Sequence, residues 1–272
     1  MQRLGPYPSD LIELAKKMCR DVPGNAANVG LSMHETTPFE VTAGIVDLCA
    51  ELGDGTPVFV DVSAPPTSRV GWCFSNVADM VADKGGAPQH GWLIWLARGL
   101  WVNAEFHVVW QAPDGGLFDV TPKPDGESRI MFMPDPTYGP HFDFYRRPNS
   151  VRMRVYRHDE RREGLAIKIA AFSDVRLSYE KAKARSKGVT VAQSVGMGAK
   201  RDRLEKLLDG FLEDVGNLES MLVPTPNGMV CKDARREDEL VRRARALDRQ
   251  KTDLFLMIDM IARGMLPDMR EG

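Results

Sequence analysis

The sequence predicts an α+β fold in which a mixed domain is followed by a helical region. The chain of 272 residues changes character near residue 160. Before that point lie all five tryptophans, most of the prolines and several short runs of β-forming residues; long stretches with helical spacing follow it. We therefore expect an α+β domain with an antiparallel sheet over residues 1–160, and an α-helical hairpin over residues 161–272.

Composition restricts the classes of function. A hydrophobic fraction of 43% and a net charge of −2 are ordinary for a globular protein with a substantial core. No apolar run approaches the ~18 residues of a membrane span, and the N-terminus lacks the basic and apolar regions of a signal peptide. We expect no membrane association. A reducing, cytoplasmic location is favoured because no Cys-x-x-Cys pair occurs among the four cysteines, Cys19, Cys49, Cys73 and Cys231.

The first 62 residues predict two helices and a strand. Ser9 can cap a helix over residues 10–21, which Pro23 and the following glycine end. A second helix is expected over residues 41–52, and a short strand over residues 57–62.

The next stretch predicts a helix and then strands. An apolar helix face begins at Phe74 and continues through Val77, Ala78 and Val81, and the glycines at 85 and 86 end the helix, so Cys73 falls at or just before its first turn. Strands are then expected over residues 91–97, 100–111, 117–121 and 151–157.

The second half carries a 3–4 spacing of apolar residues that is typical of a coiled-coil seam. One seam runs from Leu204 to Leu222 and the other from Leu240 to Met265, with Lys251 at one seam position. Residues 224–233 are short enough to turn one helix back on the other. Two interpretations are open: the pair packs on its own domain, or it forms an arm for a homodimer or another protein partner.

Alternation along two predicted strands places a histidine beside an aspartate. The even positions of residues 100–110 are apolar, whereas the odd positions include Asn103, Glu105 and His107. Asp119 lies on the polar side of the next strand, so it should share the non-core face with His107, within side-chain reach. A carboxylate in that position fixes the tautomer of the imidazole and stabilises its protonated form.

Cys73 could supply a nucleophile to this pair. A thiol at a helix N-terminus gains from the amide dipoles, and a neighbouring imidazolium lowers its pKa further. The thiolate attacks a carbonyl, and the histidine returns the proton to the leaving group. Candidates for oxyanion binding or support are Gln89, Asn76 and His90. The substrate groove is expected to be lined by Trp72, Phe74, Trp92 and Trp101.

These motifs resemble the papain-like cysteine enzymes and, within them, the transglutaminase-like group, in which a cysteine opens a helix and a histidine and an aspartate follow on successive strands. The resemblance covers about residues 71–122 and rests on Gly71-Trp72-Cys73-Phe74, Glu105-Phe106-His107-Val108-Val109-Trp110 and Gly116-Leu117-Phe118-Asp119-Val120-Thr121-Pro122.

The resemblance implies thiol-dependent amide or ester cleavage, deamidation or acyl transfer on a protein, peptide or small-molecule substrate, without a metal or another cofactor. Cys73 would be the nucleophile, His107 the general base and then acid, and Asp119 the residue that orients His107. Two departures from the family are visible. Val120 stands where the family has a proline, and the only glutamine before Cys73 is Gln2.

Two other classes of function remain open. His90, Glu105, His107 and Asp119 could bind the ion of a metal-dependent hydrolase, in which Cys73 would have no necessary role. A non-catalytic binding or scaffold protein could instead use the helical arm and a locally basic stretch, formed by Arg146, Arg147, Arg152, Arg154, Arg157, Arg161 and Arg162. A charge-protected strand edge is the commoner explanation of such a stretch. No nucleic-acid motif accompanies it, so nucleic acid is not an expected partner.

Overall fold

The computed structural model describes residues 35–97, 99–123, 126–197, 199–225 and 228–266. The helix predicted over residues 10–21 lies outside them. The helices are α1 (Ala43–Leu52), α2 (Cys73–Lys84), α3 (His158–Ala170), α4 (Asp174–Ser186), α5 (Val191–Gly196), α6 (Arg203–Glu219) and α7 (Glu237–Ala262). The strands are β1 (Val58–Val62), β2 (Ala87–Ala97), β3 (Trp101–Gln111), β4 (Leu117–Asp119), β5 (Arg129–Pro134), β6 (Val151–Arg154), β7 (Leu222–Thr225) and β8 (Gly228–Cys231).

The first five strands close into a barrel. Their order is β2-β5-β1-β4-β3, and β2 also pairs with β3, which completes the ring; β6 is attached to the outer edge of β3. The predicted α+β class is confirmed, but the sheet is mixed rather than antiparallel, because β1 and β4 are parallel. Parallel neighbours need a crossover connection, which here consists of α2 and the long β2–β3 hairpin.

Closure of the sheet buries both faces of β3. Its even-numbered side chains, such as Val102 and Val108, pack in clusters with residues of α1 and α2. On its other face, Val109 packs inside the barrel with Val60, Leu93, Ile130 and Phe132. The prediction that the odd-numbered side of β3 is a non-core face is therefore wrong at His107, which is only 6% exposed.

Helix α2 begins at Cys73, as predicted, and lies against β3 and the segment after β4. Its buried side chains are Cys73, Asn76, Val77 and Met80. Phe74 and Ala78, which were expected on the apolar face, are exposed, because the helix is rotated to bring Cys73 and Asn76 onto the barrel.

A glycine turn holds the end of α2 close to β3. Gly86 has φ +83°, a left-handed conformation that favours glycine. A Cβ at this position would overlap the carbonyl oxygen of Gln111. The nearby Trp110 also donates a hydrogen bond from Nε1 to the carbonyl of Gly85 at 2.9 Å, so the chain can turn tightly from α2 into β2.

Helices α6 and α7 pack on the barrel of their own chain. Trp101 is 1% exposed, lies 5.2 Å from the ring of Phe211 and stacks on Phe255 at 5.5 Å. Two predicted seam residues fall outside these helices: Leu222 lies in β7, and Met265 follows the end of α7. Within the described parts of the chain, no helix has both the length and the apolar character needed to cross a membrane.

Most of the predicted basic stretch is neutralised by acidic side chains. The ion pairs join Arg152 to Glu219, Arg154 to Glu205 and Asp209, Arg157 to Glu160 and Asp202, Arg161 to Glu205, and Arg162 to Asp47. These pairs attach β6 and α3 to α6 and α1. A continuous basic surface is therefore not formed, and Arg146 and Arg147 are the members without such a pair among the described residues.

Candidate active site

His107 lies on a stretch of β3 that has an open edge. On that edge, β6 pairs with residues 101–104 and β4 pairs with residues 110–111. Residues 105–109 lie between these pairings, and His107 is in the middle of them. His107 is thus next to an unpaired stretch of strand edge, and its side chain is 6% exposed.

Asp119, the last residue of β4, is fully buried and holds His107 from one side. Its Oδ2 lies 3.1 Å from Nε2 of His107. Its Oδ1 accepts a hydrogen bond from the backbone N–H of Thr121 at 2.9 Å, and its carbonyl accepts one from the N–H of Ser63 at 2.8 Å. Both the carboxylate and its backbone are thereby fixed relative to the imidazole, as the alternation argument predicted.

Lys123 is a third member of this network, and the sequence argument missed it. Its Nζ lies 2.5 Å from Oδ2 of Asp119, and its side chain is 5% exposed. Burial alone would raise the pKa of the Asp119 carboxyl, but the charges and hydrogen bonds of His107 and Lys123 outweigh it and lower this pKa to about 2. The available signal was the i,i+4 spacing of Asp119 and Lys123.

Cys73 is the second partner of the imidazole. Burial alone would lower the pKa of His107, but electrostatic interactions and hydrogen bonds with Asp119 and Cys73 raise it to about 9. Because Nε2 faces Asp119, Nδ1 is the nitrogen left for the sulfur. The structure thus brings together Cys73, His107 and Asp119 from α2, β3 and β4.

Asn76 is next to this group, but its amide is already used. Nδ2 donates to the carbonyl of Arg69 at 2.8 Å and to Oγ1 of Thr121 at 3.2 Å, and Oδ1 accepts from the N–H of Arg69 at 3.0 Å. This candidate for oxyanion binding or support therefore joins the loop before α2 to the segment after Asp119. Its contacts are those of a residue that positions the site.

The other two support candidates lie on opposite faces of β2. Gln89 is opposite Val109, on the face of His107, and its Nε2 donates to the carbonyl of His90 at 2.8 Å. His90 is fully buried beside the rings of Phe106 and Phe142, on the other face. Burial lowers the pKa of His90, and the backbone of Tyr138 and Gly139 acts in the opposite direction.

The predicted groove aromatics divide into two pairs. Trp72 and Phe74 flank Cys73 and are 44% and 36% exposed, and Phe74 stacks on Phe144 at 5.0 Å. Trp92 and Trp101 are buried in other clusters, where their indole N–H groups donate to Asp135 and Glu35. Only the first pair is placed beside the thiol.

The four candidate metal ligands are not gathered into one site. His90 and His107 lie on opposite faces of the barrel wall, and Glu105 accepts a hydrogen bond from Nε1 of Trp95 at 3.2 Å. Among the described residues, no group of three or more histidine, cysteine, aspartate or glutamate side chains has an arrangement that could hold a metal ion.

Comparisons with protein family models, with curated proteins and with solved structures find no match to this chain.

Proposed function

We propose that this protein is a thiol-dependent enzyme that cleaves an amide or ester, or transfers its acyl group. The observation that supports this most directly is the connected series of Cys73, His107 and Asp119, in which one imidazole interacts with a thiol on one side and a buried carboxylate on the other. The chemistry of such a series is nucleophilic attack by sulfur with proton transfer through the imidazole.

The proposed reaction has two stages. In the proposed resting state His107 holds the proton taken from Cys73, and the thiolate attacks the carbonyl carbon to form a tetrahedral intermediate. His107 then gives the proton to the departing amine or alcohol, and a thioester with Cys73 remains. Water or an acceptor amine, deprotonated by His107, attacks this thioester and releases the thiol.

Asp119 acts through His107 in this scheme. It holds Nε2, so that Nδ1 points to the sulfur, and it stabilises the imidazolium. The proposed oxyanion donor is the backbone N–H of Cys73. Trp72 is the residue before the first turn of α2, and its side chain makes no capping hydrogen bond to that turn. The backbone N–H groups of the first turn are therefore not occupied by a capping side chain.

The order of elements also supports membership of the transglutaminase-like group of papain-like enzymes. A cysteine begins a helix that packs on a barrel, and the histidine and aspartate follow on two paired strands. This assignment is part of the proposal, as is the choice between hydrolysis and transfer.

Alkylation by iodoacetamide, with the modified cysteine located by mass spectrometry, tests the proposal. We expect Cys73 to react at pH 6 at least tenfold faster than Cys49, whose thiol pKa burial raises to about 11. His107→Ala should abolish the difference, whereas Cys231→Ala, as a matched control, should leave it unchanged. A Cys73 that reacts only after denaturation would contradict the proposal.

Measurement of substrate turnover is the second test. Esterase and amidase activity on chromogenic acyl substrates should disappear in Cys73→Ala and His107→Ala, and both variants should keep the circular dichroism spectrum of the parent protein. Activity that survives in folded Cys73→Ala would rule out the thiol as nucleophile.

A further inference from the structure

A cleft opens beside the free edge of β3. It is lined on the barrel side by Glu105, Phe106 and residues 147–150, and on the other side by Glu219 at the end of α6 and by residues of the β7–β8 hairpin. Phe144 connects this cleft to the thiol, because its ring packs against the cluster that contains Cys73. Arg147, which lines the cleft, lies over the same ring, so Phe144 is in contact with both the cleft residue and the cluster of the thiol.

Arg147 is the cationic residue of that cleft. Its guanidinium lies 4.3 Å from the centre of the Phe144 ring, Nη1 donates to the Phe144 carbonyl at 3.4 Å, and Nη2 lies 3.1 Å from Sδ of Met229. These contacts hold the side chain between the barrel and the β7–β8 hairpin. None of them neutralises its charge.

The absence of a carboxylate partner within the described residues sets Arg147 apart from its neighbours. Five other arginines of the same stretch form ion pairs, and Arg146 is exposed to solvent. Partial burial of Arg147 lowers its pKa, and Cys73 and Glu105 are near enough to act in the opposite direction. A half-buried cation without a counter-charge is costly unless an anion completes it.

The acidic residues of the cleft do not supply that anion. Glu219 is held by a bidentate pair with Arg152, at 2.9 and 2.7 Å. Glu105 accepts from Trp95 and is exposed, so water and salt screen its charge. A planar guanidinium with free donors matches a carboxylate in shape and charge.

We propose that Arg147 binds a carboxylate of the acyl substrate, close to the carbonyl that Cys73 attacks. This inference rests on the proposed function, which it narrows to substrates that carry a negative charge next to the reacting group. The carboxylate can belong to an acidic side chain or to a peptide C-terminus, since both present the same group to the guanidinium.

Two alkylating reagents of nearly the same size provide the first test. Iodoacetate is negatively charged and iodoacetamide is neutral, so the ratio of their rates at Cys73 measures attraction of an anion to the site. We expect Arg147→Gln to lower this ratio about tenfold, which corresponds to about 1.4 kcal/mol. Arg147→Lys should retain part of it, and Arg146→Gln should leave it unchanged. An equal ratio in the parent protein and Arg147→Gln would overturn the inference.

The second test does not need a reactive thiol. In folded Cys73→Ala, the side-chain Nε–Hε resonance of Arg147, assigned with Arg147→Gln, is followed by NMR during addition of three probes. N-acetylglutamate α-amide carries a side-chain carboxylate, N-acetylglutamine a terminal one, and N-acetylglutamine α-amide neither.

A saturable shift of the Arg147 resonance with one or both carboxylate probes, and no shift with N-acetylglutamine α-amide, would support the inference. The probe that causes the shift would identify the source of the carboxylate. Equal responses to all three probes, or an equal response of Arg146, would overturn it. If Cys73 reacts with neither alkylating reagent, the proposed function fails, and this titration still decides whether Arg147 binds a carboxylate.

Discussion

Nε2 of His107 lies 3.1 Å from Oδ2 of Asp119, and both side chains are buried. Burial favours the neutral form of each group, yet the pKa of His107 is raised and that of Asp119 is lowered. The attraction between opposite charges, with contributions from Cys73 and Lys123, therefore exceeds the desolvation of both groups. Such a pair makes the stability of the protein depend on pH, because folded and unfolded chains bind different numbers of protons.

We expect the free energy of unfolding to fall as the pH rises from about 6.5 to about 9. The pKa of His107 is about 9 in the folded protein, against an ordinary value of 6.5 in the unfolded chain. Its stabilising effect is therefore complete below pH 6.5 and is lost as the pH rises through about 9. The total change should be on the order of 3 kcal/mol or less. Urea unfolding at pH 6, 7.5 and 9 measures it. His107→Gln should reduce the dependence of the free energy of unfolding on pH. The same pH dependence in the parent protein and the variant would contradict the raised pKa of His107.

Asp119 and Lys123 should differ in what their loss costs. Asp119→Ala removes the carboxylate and leaves two buried basic groups facing each other, so we expect a destabilisation of about 3–5 kcal/mol. Lys123→Met removes one basic group and keeps the pair between Asp119 and His107, so its cost should be smaller.

The acid side of the stability curve separates these contributions further. The stabilising effect of Asp119 is present above pH 3.8 and is lost as the pH falls through about 2. Lys123→Met removes one cause of the low pKa of Asp119. As the pH is lowered, this variant should therefore begin to lose stability at a higher pH than the parent protein does. Thermal unfolding between pH 2 and 5 measures the onset, and an unchanged onset would show that Lys123 does not act on Asp119.

A glycine opposite His107 should also be sensitive to substitution. Gly91 pairs with His107 across β2 and β3. A Cβ there would overlap the carbonyl of Met133 and come within 2.7 Å of Cζ of Phe132, whose ring centre lies 6.4 Å from that of His107. Gly91→Ala should therefore destabilise the fold by about 1–3 kcal/mol and disturb the imidazole.

Gly139→Ala is the matched control, because a Cβ at that position meets no atom within 4 Å. Urea unfolding measures both variants. Histidine NMR signals, compared between the two, report whether His107 moves. Similar stability of Gly91→Ala and Gly139→Ala would contradict the close approach of β5 to β2.

Sequence reasoning was sufficient for the local structure of the site. Helical spacing and the glycine pair placed Cys73 at the start of α2, and strand alternation placed His107 and Asp119 on one face. These arguments depend on neighbouring residues alone. They did not show that this face lies inside a closed barrel, because closure depends on pairing between β5, β1 and β4, which are distant in the chain.

The residues that the sequence argument missed or misassigned depend on tertiary contacts. Lys123 forms an ion pair with Asp119 after a bend in the chain. Arg147 differs from the neighbouring arginines only because those form ion pairs with residues of other elements. Trp101 looked like a groove residue because it is aromatic and near the motif. Its position at the contact with α6 and α7 follows from the long-range packing of those helices.

Asn76 provides a direct distinction between positioning and oxyanion binding. Its amide makes three hydrogen bonds, to the backbone of Arg69 and to Thr121, across two segments that enclose the thiol. Asn76→Ala leaves buried partners unsatisfied, so we expect a loss of about 1–3 kcal/mol of stability. Ser75→Ala, at the exposed neighbouring position, should change stability by less than about 0.5 kcal/mol.

The same pair of variants can be followed by alkylation of Cys73, which needs no oxyanion. A residue that positions the helix start should alter both stability and the rate of alkylation when it is removed. A residue that acts only on the oxyanion should alter neither, and should lower acyl-substrate turnover alone. The contacts of Asn76 predict the first result, and loss of turnover with normal stability and alkylation would assign the oxyanion to its amide instead.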